Sequence, residues 1–378
     1  MGYENSWVEI DRQALLQNLN TFRKLVGSKT KLMAVVKANA YGHGLSAVSA
    51  LIEKSGLADW LGINSLEEGR DLRRSGISLP ILVLGYLPLD GLRQAARFNL
   101  RLTVYNLDTV KRLAAIGGTK RIPVHVKLET GTHRQGVDLE AAVRLARFIK
   151  KSRNLILEGY STHFANIEDT LDRSYPQQQI QRYQTMVAHL ERLGLAAPIK
   201  HTACTAAAMV FPQTHQAMVR VGIGLYGLWP SRETMLSVRS LHPKLELKPV
   251  LSWKTRIAQV KEVPPGSFVS YGCTYRTTRR SRLAVLPVGY YDGYDRKLSN
   301  NGYVLIHGRR APIRGRVCMN LCVADVTDIP GVKIEDEAVL LGRQGKEHIS
   351  AEHIASWIGT INYEVVSRIN PLLPRVVV

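Results

Sequence analysis

The chain is 378 residues long, 45% hydrophobic and 22% charged, which excludes a disordered chain and supplies apolar side chain for more than one core. Its 51 Lys and Arg against 31 Asp and Glu give a formal charge of +20, yet the surplus is scattered or falls in short pairs such as Arg279-Arg280 and Arg309-Arg310. With no Lys/Arg run carrying interleaved aromatics, no specific nucleic-acid surface is expected.

Four cysteines, Cys204, Cys273, Cys318 and Cys322, have neither zinc nor disulfide-framework spacing and read as reduced thiols. No apolar run approaches a membrane span, and MGYENSWVEIDR has no basic segment leading into an apolar one. The expectation is a cytoplasmic protein with no metal and no membrane association. MGYENS also fits the myristoylation pattern through Gly2 and Ser6, a pattern short enough to arise by chance.

In chain order, KLMAVV at 31–36 reads as a strand and LSAVSALIEKSG at 45–56 as a helix. The strand-like runs DWLGIN, ILVLG, LRLTVY, PVHVKLE, EGYSTHF, IKHTA and AMVRVGI follow, separated by amphipathic stretches such as AAVRLARFIKKS. About eight strands alternating with helices predict an α/β fold, a (β/α)8 TIM-like barrel over residues 1–240. Beyond it PVLSWKTRIAQVKEV, SRLAVLPVGY, GYVLIHG and CVADVTDI are strand-like with turn chemistry between them and hardly any helical periodicity, which predicts a mostly β domain over 241–378. Residues 1–12 are able to pack with this β domain. The expected linker is SVRSLHPK, where Pro243 interrupts the helical pattern.

Loops after barrel strands build active sites in such folds, so polar groups just past strand ends are the first candidates. Lys37 ends the first strand in AVVKANAYGHG, where an apolar cavity lowers an amine's pKa and favours imine formation. Tyr41 follows beside Gly42 and Gly44, a turn whose amides and phenol suit an anion. The run from Gly42 to Ala47 also fits G-x-G-x-x-A, but KANAY separates it from the strand and the next strand closes on Asn64 rather than an acid, against a dinucleotide site.

AVVKANAYGHG resembles the cofactor-lysine motif of the alanine racemase family, and the similarity continues in family order to the last few residues. The resemblance implies a racemase that uses pyridoxal 5'-phosphate to interconvert L- and D-alanine for bacterial peptidoglycan. Lys37 would hold the cofactor covalently and Tyr41 would contact its phosphate. HVKLETGTHRQGV resembles K-x-D-T-G-x-x-R-x-G, which places Arg134 against the cofactor's phenolic oxygen or the substrate carboxylate. Lys127 falls where many members carry a carbamylated lysine. Glu129 replaces Asp there, and Thr132-His133 replaces the commoner Met-Gly.

By the same resemblance STHFAN places His163 near the cofactor ring, and HTACTAAAM places Thr205 in the role of a phosphate-binding Ser. Cys204 stands for Asn in that segment, and His201 is a supporting partner. MVRVGIGLYGL sets Arg220 at the pyridine nitrogen and gives the amides of Gly222 and Ile223 to the phosphate. A guanidinium cannot supply the proton an acidic residue would, so the ring stays a weak electron sink and transamination is limited.

VSYGCTY resembles the family's S-Y-G-x-T-Y, which implies Tyr271 as the second base, its phenolate favoured by positive charge from His163 and Arg220. Racemisation removes a proton from one face of Cα and returns it on the other, so two bases are needed. VGYYDGYDRKL and RGRVCMNL nominate Tyr290, Arg296, Arg316 and Met319 at the substrate site and its entrance, with Asn320 for the usual Asp. GTINYEVVSRINPLLPR supplies Tyr363 as a further phosphate ligand. The family pattern implies a homodimer in which each site joins Lys37 of one chain to Tyr271 of the other.

The alternatives are a racemase of serine or another amino acid, or a barrel-type pyridoxal-phosphate decarboxylase. A decarboxylase would place a carboxylate where Arg220 stands. A small cofactor-binding barrel protein would lack the second domain.

Overall fold

A computed structural model describes residues 4–116 and 120–378; Gly2 of the myristoylation pattern lies outside them. The chain divides into two compact units. One, the barrel unit, comprises Leu15–Ala40 and Leu45–Lys248; the other, the β unit, comprises the segment ending at Ala14, Tyr41–Gly44 and Pro249–Val378.

Strand β1 (Ser6–Ile10) belongs to the β unit. The barrel unit is built on β2 (Lys31–Val35), β3 (Trp60–Ile63), β4 (Ile81–Val83), β5 (Arg101–Val104), β6 (Ile122–Lys127), β7 (Leu155–Ser161), β8 (Ile199–His201) and β9 (Met218–Val221). These pair in parallel in the order β8-β7-β6-β5-β4-β3-β2-β9. Leu32–Val35, Trp60–Ile63 and Ile81–Val83 are wholly buried, as expected when helices cover the outer face and side chains fill the interior. Between β8 and β9 the ring is closed by Ala217 N donating to Lys200 O (3.2 Å) and Arg220 N donating to Ala203 O (3.0 Å) rather than by a regular ladder.

Helix Arg12–Val26 opens the chain's α-helices, and its fully buried Asn18 fastens both ends of the barrel unit. Its amide donates to Leu225 O (3.1 Å) and Lys248 O (2.8 Å), and its carbonyl accepts from Lys248 N at 2.8 Å. The expected linker SVRSLHPK is not a linker at its start: Ser237–Leu241 complete helix Arg232–Leu241, and the barrel unit runs on to Lys248. Pro243 acts one residue earlier than its own position, because a residue preceding proline is sterically barred from the α region. His242 accordingly leaves it at φ −135, ψ 72.

The β unit has two sheets. Strands β10 (Leu251–Arg256), β13 (Tyr303–Ile306), β14 (Arg309–Pro312), β16 (Glu337–Gln344), β17 (Glu347–Ile349) and β18 (Arg375–Val377) form a seven-stranded sheet with β1, in the order β14-β13-β16-β10-β1-β18 with β17 on β16. A three-stranded sheet joins β11 (Gln259–Val263), β12 (Ser281–Leu286) and β15 (Cys322–Asp325). Contrary to the near-absence of helical periodicity in the sequence reading, this unit also contains helices Ala351–Ile358 and Asn362–Ser367. The first carries a buried stripe of Ala351, Ile354, Ala355 and Ile358 between an Ser350 N-cap and a left-handed Gly359. Among the described residues no helix is long and apolar enough to cross a membrane.

Replacing Asn18 by Ala strands the buried Leu225 carbonyl and removes the bonds to Lys248 O and N. We expect chemical denaturation to show a loss of at least about 2 kcal/mol; an unchanged midpoint would show that the fastening is redundant.

Candidate active site

Lys37 follows β2 directly, and the backbone after it does something unusual for L-residues. Ala38, Asn39, Ala40 and Tyr41 all sit at φ of 53 to 54, a left-handed turn costing about 1–2 kcal/mol per residue against the right-handed form. The turn is held from outside. Ala38 N donates to Glu68 Oε1 (2.6 Å), whose Oε2 accepts from Asn64 N (2.6 Å), while Leu45 N donates to Asn39 Oδ1 (2.8 Å) and Ala40 N to Val36 O (2.8 Å). Glu68 is itself fixed as the third residue of a capping box with Ser65 on helix Leu66–Arg74. The Lys37 amine is half-buried; burial, and then the Arg134 guanidinium, lower its pKa against the opposing pull of Glu68.

The ends of β6 to β9 gather the other expected barrel residues around a buried guanidinium. Arg220, 7% exposed, donates through Nη1 to His201 O (2.8 Å) and His201 Nδ1 (2.7 Å), and through Nη2 to Thr162 O (2.8 Å) and Thr202 O (2.9 Å). Its Nη2 also lies 3.5 Å from His163 Nδ1. Among the described residues no carboxylate pairs with it and its Nε donates to no protein group. Burial draws its pKa down to about 10, which still leaves it charged at neutral pH.

That charge reaches its neighbours. Burial first, then Arg220, Lys127, Arg134 and Lys37, push the His163 imidazole well below its ordinary pKa. It is therefore neutral, and the positive charge asked of it in support of a phenolate has to come from Arg220. Lys127 is brought to about 8 by burial and then by Arg220 and Arg134. Its Nζ donates to Gln135 Oε1 (3.3 Å), and Gln135 Nε2 donates to Tyr105 Oη at 3.2 Å.

The departures from the family pattern have local work. Glu129 accepts from Gly131 N (2.6 Å) and Thr132 N (2.7 Å), shaping the loop that carries Arg134, and Thr132 Oγ1 donates to His163 O at 2.5 Å. Arg134 is exposed and makes no ion pair among the described residues. Thr205 begins helix Thr205–Val210, and its Oγ1 accepts from Gly222 N at 3.0 Å. The following 3-10 turn, Ile223–Tyr226, has no side chain capping its first amides.

In the β unit, the rings of Tyr41 and Tyr363 lie 6.2 Å apart. The segment Tyr41–Gly44 fits closely on helix Asn362–Ser367: Gly42 has φ +84, and a Cβ there would meet Val366 O at 2.0 Å. Tyr271 is 75% exposed on a 3-10 turn, Tyr271–Cys273, and Ser270 Oγ donates to Arg316 O at 2.7 Å. Tyr290 N and Tyr291 N donate to Cys318 O and Met319 O, each at 3.0 Å. Tyr271, Tyr290, Arg316, Met319 and Asn320 thus stand on adjoining segments, and Arg296 and Arg316 line one concavity with Thr274, Lys297, Ser299 and Asn300.

Glu68, Gln135 and Thr132 were not singled out by sequence as parts of the site. Only Glu68 carried a local signal, the S-x-x-E capping box just after a strand.

The chain matches the family described as alanine racemase, N-terminal domain, over residues 10–230 and alanine racemase, C-terminal domain, over 250–377. It is 43% identical to the alanine racemase of Halothermothrix orenii, across 98% of this chain and 96% of that protein. It is 42% identical to that of Desulforamulus reducens, across 99% of each. Among solved structures, alanine racemase of Clostridium difficile 630 superposes with a TM-score of 0.93 at 35% identity, covering 100% of this chain and 97% of that one. Alanine racemase from Bacillus anthracis with bound L-Ala-P gives 0.92 at 33%, covering 100% and 96%.

Glu68→Ala removes the carboxylate that ties the left-handed turn at Ala38 to Asn64. Denaturation of the cofactor-loaded protein should show a loss of about 1–2 kcal/mol, with Glu68→Gln losing less because it keeps one acceptor. Equal stability of Glu68→Ala and wild type would show that the turn holds itself.

Proposed function

The chain belongs to the alanine racemase family, and from that premise we propose which of its residues carry the reaction. It is a pyridoxal-phosphate-dependent isomerase that interconverts L- and D-alanine, the family's source of D-alanine for the bacterial cell wall. The observation that most supports this reading is Arg220: a buried, charged guanidinium at the barrel-strand ends acts with Lys37 on the same imidazole, His163, and among the described residues no carboxylate pairs with it. A decarboxylase of this architecture would need an acid at that place.

The donor set fits pyridoxal phosphate. Lys37 offers an amine with lowered pKa, Arg220 Nε is left over as a donor, and the Thr205 hydroxyl stands beside Gly222 and the uncapped turn at Ile223, which suits a phosphate. Tyr41 and Tyr363 would complete the phosphate site, with His163 against the ring. When bound, the cofactor takes up electron density from the amino acid's Cα and so acidifies its hydrogen.

Lys37, as a free amine, would remove or return that hydrogen as a proton on one face. Tyr271 of a partner subunit does the same on the other face, and the two exchange roles with the direction of the reaction. Arg220 would hold the ring nitrogen with an N–H it does not give up, which would disfavour protonation away from Cα. Arg134 and Met319 meet the substrate, and Tyr290, Arg296 and Arg316 line its approach.

Support for the homodimer comes from the surface around Tyr271. Phe268, Tyr271, Tyr290, Tyr291, Met319 and Leu321 are all exposed, an apolar and aromatic grouping of the kind that marks a protein interface. The four cysteines are free, which favours the reducing cytoplasm as its location.

Lys37→Ala and Tyr271→Phe should each abolish racemisation alone. Mixed under subunit exchange, they should recover up to about a quarter of wild-type activity, because about half the dimers would be mixed and each would hold one intact site. No recovery after verified exchange would mean that both bases come from one chain.

Lys127 should carry a carbamate. With its pKa near 8, the neutral amine that reacts with carbon dioxide is about 300-fold more abundant at pH 7 than on an ordinary lysine. The modification turns a crowded cation into an anion beside Arg134 and Arg220. Density at Nζ in a crystal grown with bicarbonate near pH 8 decides the matter, and an unmodified ammonium there would refute the assignment.

A further inference from the structure

Behind Arg220 a line of polar side chains crosses the barrel interior. His201 Nδ1 is 2.7 Å from Arg220 Nη1; His201 Nε2 is 2.8 Å from His125 Nδ1; His125 Nε2 is 3.0 Å from Glu158 Oε2. Glu158 is gripped in turn by Arg101, whose Nε lies 3.1 Å from Oε2 and whose guanidinium stacks 4.6 Å from the Trp60 ring centroid. Both histidines are fully buried, whereas Glu158 and Arg101 keep some exposure. The four members of the line come from four adjacent strands, β6, β7, β8 and β9.

The barrel is shaped around this line. The β6–β7 register shifts between Val124 and His125, and the partner opposite His125 is Gly159, where a Cβ would lie 2.4 Å from His125 Nδ1. The imidazole occupies the volume that any other residue at 159 would fill. The Trp60 ring meets it edge-on at 5.7 Å.

The two ends of the line fix every proton in it. A guanidinium only donates and an ionised carboxylate only accepts, so the three links are all made only if each imidazole donates from Nε2 and accepts at Nδ1. Reversing His201 would set its N–H against an N–H of Arg220, and reversing His125 alone would set its N–H against that of His201 and turn a lone pair toward Glu158. Burial holds both histidines below their ordinary pKa and therefore neutral, as this requires, and Glu158 is kept ionised by His125 and Arg101 against its own burial.

We propose that Glu158 is a positioning residue for the racemase reaction: through His125 and His201 it fixes both imidazoles as Nε2–H tautomers, keeping a lone pair aimed at Arg220 and locking the guanidinium's orientation. Its catalytic consequence rests on Arg220 meeting the cofactor's ring nitrogen; the tautomers do not. Glu158→Leu deletes the terminal acceptor and frees His125 to turn its proton around, whereas Glu158→Gln retains an acceptor.

Solid-state 15N NMR of the histidine-labelled holoenzyme reads the tautomers directly, with His125 and His201 identified by coupling across their shared hydrogen bond. Wild type and Glu158→Gln should show Nε2–H on both. Glu158→Leu, in which only the Arg220 end still sets the protons, should show a population with both imidazoles reversed to Nδ1–H, and kcat lower by about tenfold with KM for alanine little changed. An Nδ1 proton on either histidine of the wild type, or full kcat in Glu158→Leu, overturns the proposal. Arg220→Ala is the separate control for the ring-nitrogen reading: unaltered absorbance of its bound cofactor would fail that reading while leaving the tautomer result to stand for the line itself.

Discussion

A guanidinium buried without a carboxylate is the constraint on which the barrel mouth depends. Stranded buried charge costs several kcal/mol unless its donors are used, and Arg220 spends four of them on three backbone carbonyls and a histidine. Those carbonyls belong to Thr162, Thr202 and His201, at the ends of β7 and β8, so the arginine also fills the place where the β8–β9 ladder is thinnest. Its charge is not cancelled by the bonds to carbonyls. Added to burial, it lowers the pKa of His163, His201 and Lys127, which keeps the two imidazoles neutral in a site that handles protons.

A second constraint acts at Lys37. A lysine continuing β2 would run on as strand or begin a right-handed helix; here four residues turn left-handed instead. The cost is carried by neighbours, Glu68 above all, whose two oxygens tie Ala38 to Asn64. The same carboxylate opposes the fall of the Lys37 pKa, so one acidic side chain both shapes the turn and moderates the amine.

The barrel strands were legible because parallel strands buried on both faces read as unbroken apolar runs. LMAVV in KLMAVV is of that kind, whereas AMVRVGI is interrupted by Arg220. The motif-bearing residues Lys37, Arg220 and Tyr41 were legible because they sit in short contiguous segments. His125 and Glu158 were not, since their role exists only in the register that places β6 beside β7 and β8. The eight-residue β16 was missed although five of its residues are buried. Pairing of β1 with β18, parallel and from opposite ends of the chain, has no local trace at all.

The electrostatics give the site its selectivity for what it must hold. Lys37, Lys127, Arg134 and Arg220 all act on one another or on His163 as positive charges, with Glu68 and Glu129 as the carboxylates set against them. Glu129 is already committed to the amides of Gly131 and Thr132, and Glu68 to those of Ala38 and Asn64. An excess of confined positive charge favours ligands that bring negative charge: a phosphate, a substrate carboxylate, a carbamate on Lys127. Each anion that arrives relieves repulsion among the cations, so each makes room energetically for the others to be held in fixed geometry. A simple amine, which has no carboxylate and is itself a cation at neutral pH, would lack that term, which is a physical reason for the site to prefer amino acids.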